Sequence, residues 1–422
     1  MNIQKLIGLF GILGGVAGCV FSANAAETPA SWKMGAPIVT YWAGPSMTDA
    51  TAQQMKEGGF NLVWCSEKEL DAARRHGLRA QLTDPLLAPA SLNDPAKRMQ
   101  LDALIARVRQ HPALYSYFIV DEPSATNFPD LGKLVGYLRT NDPAHLAYIN
   151  LLPTYANNDQ LGCKGDLVTA YKEHLRQFED VVNPALISYD HYHFSVQGDA
   201  GQYFLNLAMI RQAALTANLP FLNIVQACTW TPSMRVPTAD EVRFLVYTSL
   251  AYGAQGISYY VYCHPGHTGA IANADGTPTA LYAPLQIMNR DFAAIAGQLQ
   301  PLRSHGAYHA GMLPDGAEAL PHNAVFKVDP SLAMAKCEPP APVKGILIGD
   351  FCPVNKSGLV LSPTHAVVVN LDYKATASVG IRAAAALESF DPASGQWSPA
   401  HTNRVVLQLP PGGGRLVRLA NN

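Results

Sequence analysis

Asp121 and Glu122 stand side by side at the end of an aromatic and β-branched run, Tyr115-Ser116-Tyr117-Phe118-Ile119-Val120, and Pro123 follows them directly. The run has the composition of a buried strand. A proline cannot donate to a sheet ladder, so the strand must stop there. The two carboxyls therefore belong at the carboxyl end of a core strand, where α/β barrels and open α/β sheets keep their chemistry. Two acids beside a hydrophobic core are costly unless each is hydrated, hydrogen-bonded or protonated. A carboxyl held protonated there can give its proton to a leaving oxygen, while a second carboxylate acts as nucleophile or activates water. The bland alternative is a salt bridge for one acid and a helix cap for the other. Strand-terminal position, adjacency and the arresting proline coincide, and together they favour function.

The elements that must position this pair alternate regularly from residue 36 onward. Strands are expected at 37–41, 61–65, 78–83, 115–120, 145–151, 185–189, 220–227 and 256–261. Each is followed by a helical stretch, at 47–57, 68–76, 95–109, 128–139, 166–182, 201–217, 239–252 and 283–299. Eight strand-then-helix units match a (β/α)8 TIM barrel over residues 27–302. Beyond it, short β-rich runs separated by Asp391-Pro392 and Pro411-Gly412-Gly413-Gly414 predict a small antiparallel β-sandwich domain over 303–422.

In a barrel the strand ends converge on one mouth. The residues placed there are Tyr41, Trp42, Trp64, Cys65, Asp84, Asp121, Glu122, Asn150, Asp190, His191, Tyr192, His193, Gln226, Trp230, Tyr260 and Tyr262. Aromatic faces cover the apolar faces of a sugar ring, and amides and carboxylates bond its hydroxyls. A phosphate site would want a glycine-rich turn and arginines, which these ends lack. Packing at the rim is the competing reading for the aromatics, a turn for Asp84 and Asn150, and a loop cap for Asp190. His191 and His193, two residues apart, read as hydrogen-bonding groups rather than metal ligands. No metal or organic cofactor is expected.

The Asp121-Glu122-Pro123 strand end resembles the Asn-Glu-Pro signature of clan A glycoside hydrolases, whose glutamate there is the general acid/base. A barrel followed by a β-sandwich is similar to the β-galactosidase and β-xylosidase type within that clan. The resemblance implies a carbohydrate substrate and assigns Glu122 as acid/base. Two departures stand out. Aspartate replaces asparagine at 121, which adds charge beside Glu122 and favours a raised pKa. The clan's nucleophilic glutamate on the seventh strand has no counterpart, because Gln226 occupies that region. Three resolutions stay open. Asp190 could be the second catalytic carboxylate, with Asp121 orienting substrate; adjacent Asp-Glu on a fourth strand also resembles the substrate-assisted hexosaminidases; or the chain is a non-catalytic carbohydrate-binding surface lipoprotein.

Composition sets the outer bounds. The 422 residues are 48% hydrophobic and 15% charged with a net charge of -2, ordinary for a globular chain and unsuited to nucleic acid. Residues 1–26 read as a signal peptide, with Lys5, an apolar stretch and Ala23-Asn24-Ala25 as cleavage site. Export to the periplasm or outside is the expectation. Val16-Ala17-Gly18-Cys19 resembles a lipobox, which offers membrane anchoring through a lipidated Cys19 as the alternative. Of seven cysteines, Cys337 with Cys352 is the favoured pairing by sequence distance, and Cys228 with Cys263 is a second possibility.

Overall fold

A computed structural model describes residues 32–329, 345–355, 358–400 and 402–420. Its centre is an eight-stranded, all-parallel sheet made of β1 (Ile38–Val39), β2 (Leu62–Cys65), β3 (Arg79–Leu82), β4 (Leu114–Asp121), β5 (Leu146–Leu151), β6 (Ile187–His191), β7 (Phe221–Gln226) and β8 (Gly256–Tyr260). Each strand pairs with its neighbour in sequence from β2 to β8, and β8 then pairs with β1. Asn61 closes the ring. Its N–H donates to Val39 O and its Oδ1 accepts from Val39 N, both at 3.0 Å. The TIM barrel expected from the strand-helix rhythm is the observed fold.

Eight principal helices cover the barrel: α1 (Asp49–Glu57), α2 (Leu70–Arg75), α3 (Pro95–Val108), α4 (Phe128–Asn141), α5 (Leu167–Gln177), α6 (Tyr203–Ala217), α7 (Ala239–Ala251) and α8 (Tyr282–Leu299). Their starts are written locally. Asp94 accepts from the N–H groups of Ala96 and Lys97 ahead of Pro95, and Thr238 with Glu241 forms a capping box on α7. The helix expected over 166–182 is shorter than its pattern. It ends at Gln177, and Phe178–Val182 continues as a π-helical turn before Asn183 takes φ 53°.

The barrel interior is filled by Ile38, Leu62, Leu146, Tyr148, Leu186, Leu222 and Ile224, with Trp42, Phe118 and Tyr260 packed above them. Residues of opposite parity, such as Tyr41, Val63, Tyr189 and Tyr259, join the layer between strands and helices.

From Leu302 the strand pairing is antiparallel, apart from Glu318–Ala319, which lies parallel to Leu302–Ala310. Strands Leu302–Ala310, Ile346–Pro353, His365–Asn370, Gly414–Leu419 and Leu387–Asp391 form the body of a seven-stranded sheet; Lys327–Val328, Ala377–Arg382 and Arg404–Leu409 form a second. Ile348, Val368 and Val417 of the first share a core with Val379, Ile381 and Leu407 of the second. The other face of the larger sheet, with Leu347, Val367 and Leu416, merges into the barrel's core against α7. Gly349 permits that approach: a Cβ there would lie 1.9 Å from the Ala251 carbonyl oxygen at the end of α7.

The expected leader and Cys19 lie outside the described residues, as does Cys337 of the Cys337–Cys352 pairing. Cys228 and Cys263 are free thiols, so the bond that their neighbouring strands suggested is not made. Among the described residues no helix is long and apolar enough to cross a membrane.

Candidate active site

At the carboxyl ends of the strands lies a cavity of about 280 Å³ lined by Trp42, Asp121, Glu122, Asn150, Leu152, Pro153, Tyr155, Ala156, Gln160, Asp190, Tyr192, Ile224, Trp230 and Tyr260. It gathers three acids, two amides and five aromatic rings. No lysine, arginine or histidine is among its walls.

Asp121 and Glu122 both face this cavity although neighbours in a strand point opposite ways. Asp121 is the last residue of β4, and Glu122 adopts φ 44°, outside the strand region, which turns its side chain back to the mouth. A non-glycine residue in the left-handed region costs on the order of 1 kcal/mol or more and persists only where its surroundings hold it. Here the Glu122 N–H donates to Asn150 O at 2.9 Å and Pro123 follows.

Asn150, on β5 between the two acidic strands, ties the acids together. Its Nδ2 donates to Asp121 Oδ1 at 3.0 Å and to Asp190 Oδ1 at 2.9 Å. Its Oδ1 accepts from Ser188 Oγ at 3.0 Å, and Ser188 Oγ is 2.7 Å from Tyr148 OH. With the serine hydrogen directed at Asn150, Tyr148 donates to the serine. That chain fixes which end of the amide faces the acids.

The acids are short of donors. Asp190 is 1% exposed, its Oδ2 has no hydrogen-bond partner among the described residues, and the Glu122 carboxyl is near enough for its charge to act on it. Burial pushes the Asp190 carboxyl well above the usual aspartate range, and the Glu122 and Asp121 charges push it further, against the Asn150 hydrogen bond. Glu122 is raised by burial and then by the Asp121 charge, with the neighbouring Asp190 carboxyl opposing. Burial also raises Asp121, opposed by Asn150. Both β4 acids reach solvent through the mouth yet have protein on most sides, so their hydration is partial. Asp190, the more deeply buried of the two, accordingly holds its proton more firmly than Glu122 does, since neighbouring carboxyls do not both ionise readily.

Opposite the acids stands an aromatic wall. Tyr192 packs edge-on against Trp230 with centroids 4.6 Å apart, and Tyr260 lies 4.8 Å from Trp230. Tyr260 OH reaches His267 Nε2 at 3.1 Å. Trp42 is backed by Trp64 and Phe118 at 4.9 and 5.6 Å.

The structure thus brings Trp42, Asp121, Glu122, Asn150, Asp190, Trp230 and Tyr260 together and sends most of the other expected residues elsewhere. Gln226 is fully buried and spent on backbone: Oε1 accepts from Phe194 N, while Nε2 donates to the carbonyls of Phe194, Cys228 and Arg235. It pins the loops after β6 and β7. Tyr41 and Tyr262 pack on Phe60 in the core, 5.6 and 5.7 Å between centroids. Trp64 donates to Tyr41 O and supports Trp42 from behind. Asp84 closes a turn by accepting from Leu86 N. His191 lies buried between Tyr155 and Tyr203, and His193 stacks on Phe244; burial lowers them to about 3 and about 4, so both are neutral. Among the described residues no cluster of three or more histidines, cysteines or acids is arranged to hold a metal ion.

Two more rings join the lining, Tyr192 from the Asp190–His193 stretch expected at the mouth and Tyr155, which no strand end includes. Tyr192 was legible: with Asp190 facing in, strand alternation puts 192 inside and 191 and 193 outside. Tyr155 was not, since it sits in the loop after β5, held by a 3.4 Å bond from Tyr192 N to its hydroxyl.

No family model matches this chain, and no curated protein matches it. Solved structures similar to it include glycoside hydrolases. A β-galactosidase from the psychrophilic Marinomonas ef1 is 11% identical with a TM-score of 0.45 over 62% of this chain and 60% of that one. A putative α-L-fucosidase from Bacteroides thetaiotaomicron is 11% identical with a TM-score of 0.43, over 67% and 100%. A glycoside hydrolase family 5 mannosidase from Rhizomucor miehei is 12% identical with a TM-score of 0.41, over 60% and 88%.

Proposed function

We propose that this chain is an exported glycoside hydrolase that cleaves an O-glycosidic bond at the barrel mouth with Glu122 as general acid. The observation that carries the reading is the division of the cavity: three contiguous acids on the β4 to β6 side, facing aromatic rings with no basic group among the lining residues. A neutral sugar ring fits such a cavity, its apolar face on Trp230 or Trp42 and its hydroxyls toward Asp121 and Asn150. An anionic sugar would meet no basic group among the described lining residues.

Partial burial and the Asp121 charge hold a proton on Glu122 at higher pH than an ordinary glutamate. That proton passes to the glycosidic oxygen as the bond from the anomeric carbon breaks. Asp190 is poorly placed for the second role. Retaining pairs stand ~5 Å apart and inverting pairs ~6.5–9.5 Å, with sugar or water between them, whereas Asp190 is buried on the same side of the cavity as Glu122 and its carboxyl is held well above the usual aspartate range. No carboxylate lies on the aromatic side. The mechanism that needs none there is substrate-assisted. A 2-acetamido oxygen of the sugar attacks its own anomeric carbon, Asp121 accepts from the acetamido N–H, and water then opens the ring with Glu122 now acting as base.

The test is reducing-end release by wild type and Glu122→Gln from paired substrates, each hexoside beside its 2-acetamido counterpart. Release from the acetamido member alone, falling ~10²-fold or more in the variant, supports the assisted route. Release from both members points to a nucleophile outside the substrate. No release, with saturable sugar binding retained in the variant, makes the chain a carbohydrate-binding protein instead.

A further inference from the structure

The opposite end of the barrel carries a second and larger cavity, of about 740 Å³. It lies where Leu219–Phe221 leads into β7 and Gly253–Gln255 into β8, between the barrel and the strand that opens the β-sandwich. Its polar lining includes Arg211, Asn218, Gln255, Gln300, Arg303 and Ser304, and among the described residues no carboxylate is part of it.

Arg211 comes from α6 and is 9% exposed. Its Nε donates to Ser304 Oγ at 2.9 Å, while its Nη2 is buried with no hydrogen-bond partner among the described residues. Arg303 donates from Nη2 to Leu215 O at 2.9 Å, one turn further along α6. Neither guanidinium is in ion-pair contact with a carboxylate among the described residues. Glu318 raises Arg211 only through space, and burial of the cation outweighs it. Arg211 also borders a separate cavity on the Glu318 side, so that acid sits behind it rather than in this cleft.

A buried, unpaired guanidinium N–H is costly, the more so on a charged group, and a bound anion would offset that cost. We propose that this cleft is a binding site for a small oxyanion, a carboxylate or phosphate group, held by the Arg211 guanidinium with Arg303 and the side-chain amide of Asn218 around it. The site is at the amino ends of the strands, across the barrel from Glu122, and is independent of the reaction proposed there.

The experiment is thermal unfolding of the full chain in sodium phosphate and in sodium citrate, each against sodium chloride at equal ionic strength. A saturable rise in Tm with phosphate or citrate beyond the chloride control is expected, with the apparent affinity falling tenfold or more in Arg211→Gln and by a smaller factor in Arg303→Gln. Citrate acting alone names a carboxylate ligand, and phosphate acting alone names a phosphate. If Arg211→Gln does not fold, Arg303→Gln decides. Shifts no larger than chloride gives, or shifts unchanged in the variants that fold, overturn the proposal.

Discussion

The ends of β4 and β7 began as equals, each carrying polar side chains at a barrel strand's carboxyl end, and the structure treats them oppositely. Gln226 on β7 makes four hydrogen bonds, all to main-chain groups of two loops, and keeps nothing for a ligand. Asp121, Glu122 and Asp190 share two donated bonds from one amide, and Asp190 Oδ2 goes without a donor. Unspent hydrogen-bonding capacity separates a site from a brace. A polar residue at a strand end is a candidate only while its valences are free.

Mutations at the two strand ends should therefore fail in different ways. The largest effect belongs to Glu122→Gln, where hydrolysis falls ~10²-fold or more with sugar binding and unfolding nearly unchanged. Gln226→Glu should do the reverse. It turns a buried amide donor into a carboxylate facing three carbonyl oxygens, and a loss of about 3 kcal/mol or more in denaturant unfolding is expected, with no new nucleophile gained. A variant that folds normally and hydrolyses faster would break the contrast. Trp230→Ala, on the aromatic wall, should raise KM about tenfold with a smaller change in kcat, as loss of a stacking face does.

Two smaller effects concern pH. Glu122 must be protonated to act as acid, so activity falls as pH rises through its apparent pKa. Asp121→Asn removes the charge that helps raise that pKa, and the alkaline limb of the kcat/KM profile should move to lower pH. Asp190 has a folded pKa well above its unfolded value. Its contribution is therefore fully present below the ordinary aspartate range near ~3.9 and is lost as pH rises from there through the raised value. Asp190→Asn should flatten the unfolding free energy over that window, measured by denaturant titration at a series of pH values. An unchanged slope would show that the acid is not buried as described.

Much of the fold was legible because the barrel repeats one rule. Buried strands such as 145–151 and helices such as 95–109 carry their periods and caps locally, and the observed bounds differ by a residue or two. The acid pair was equally legible, since Pro123 marks where β4 must stop. What failed was facing. Tyr41, His191 and His193 were placed at the mouth beside Trp42, Asp190 and Tyr192, although alternation allows only one member of each adjacent pair to look inward along a strand. Glu122 is the informative exception, because φ 44° lets it join Asp121.

The sequence by itself determined the element order, the barrel and the identity of the acids, because these follow from hydrophobic period and from proline's missing N–H. Only the tertiary structure decided that Asn150 on β5 bridges acids on β4 and β6, that Gln226 is consumed by loop carbonyls and that Tyr155 closes the cavity. Each of these joins groups from 29 to 40 residues apart or turns on a loop's path. No local pattern encodes which side chain reaches a distant partner first.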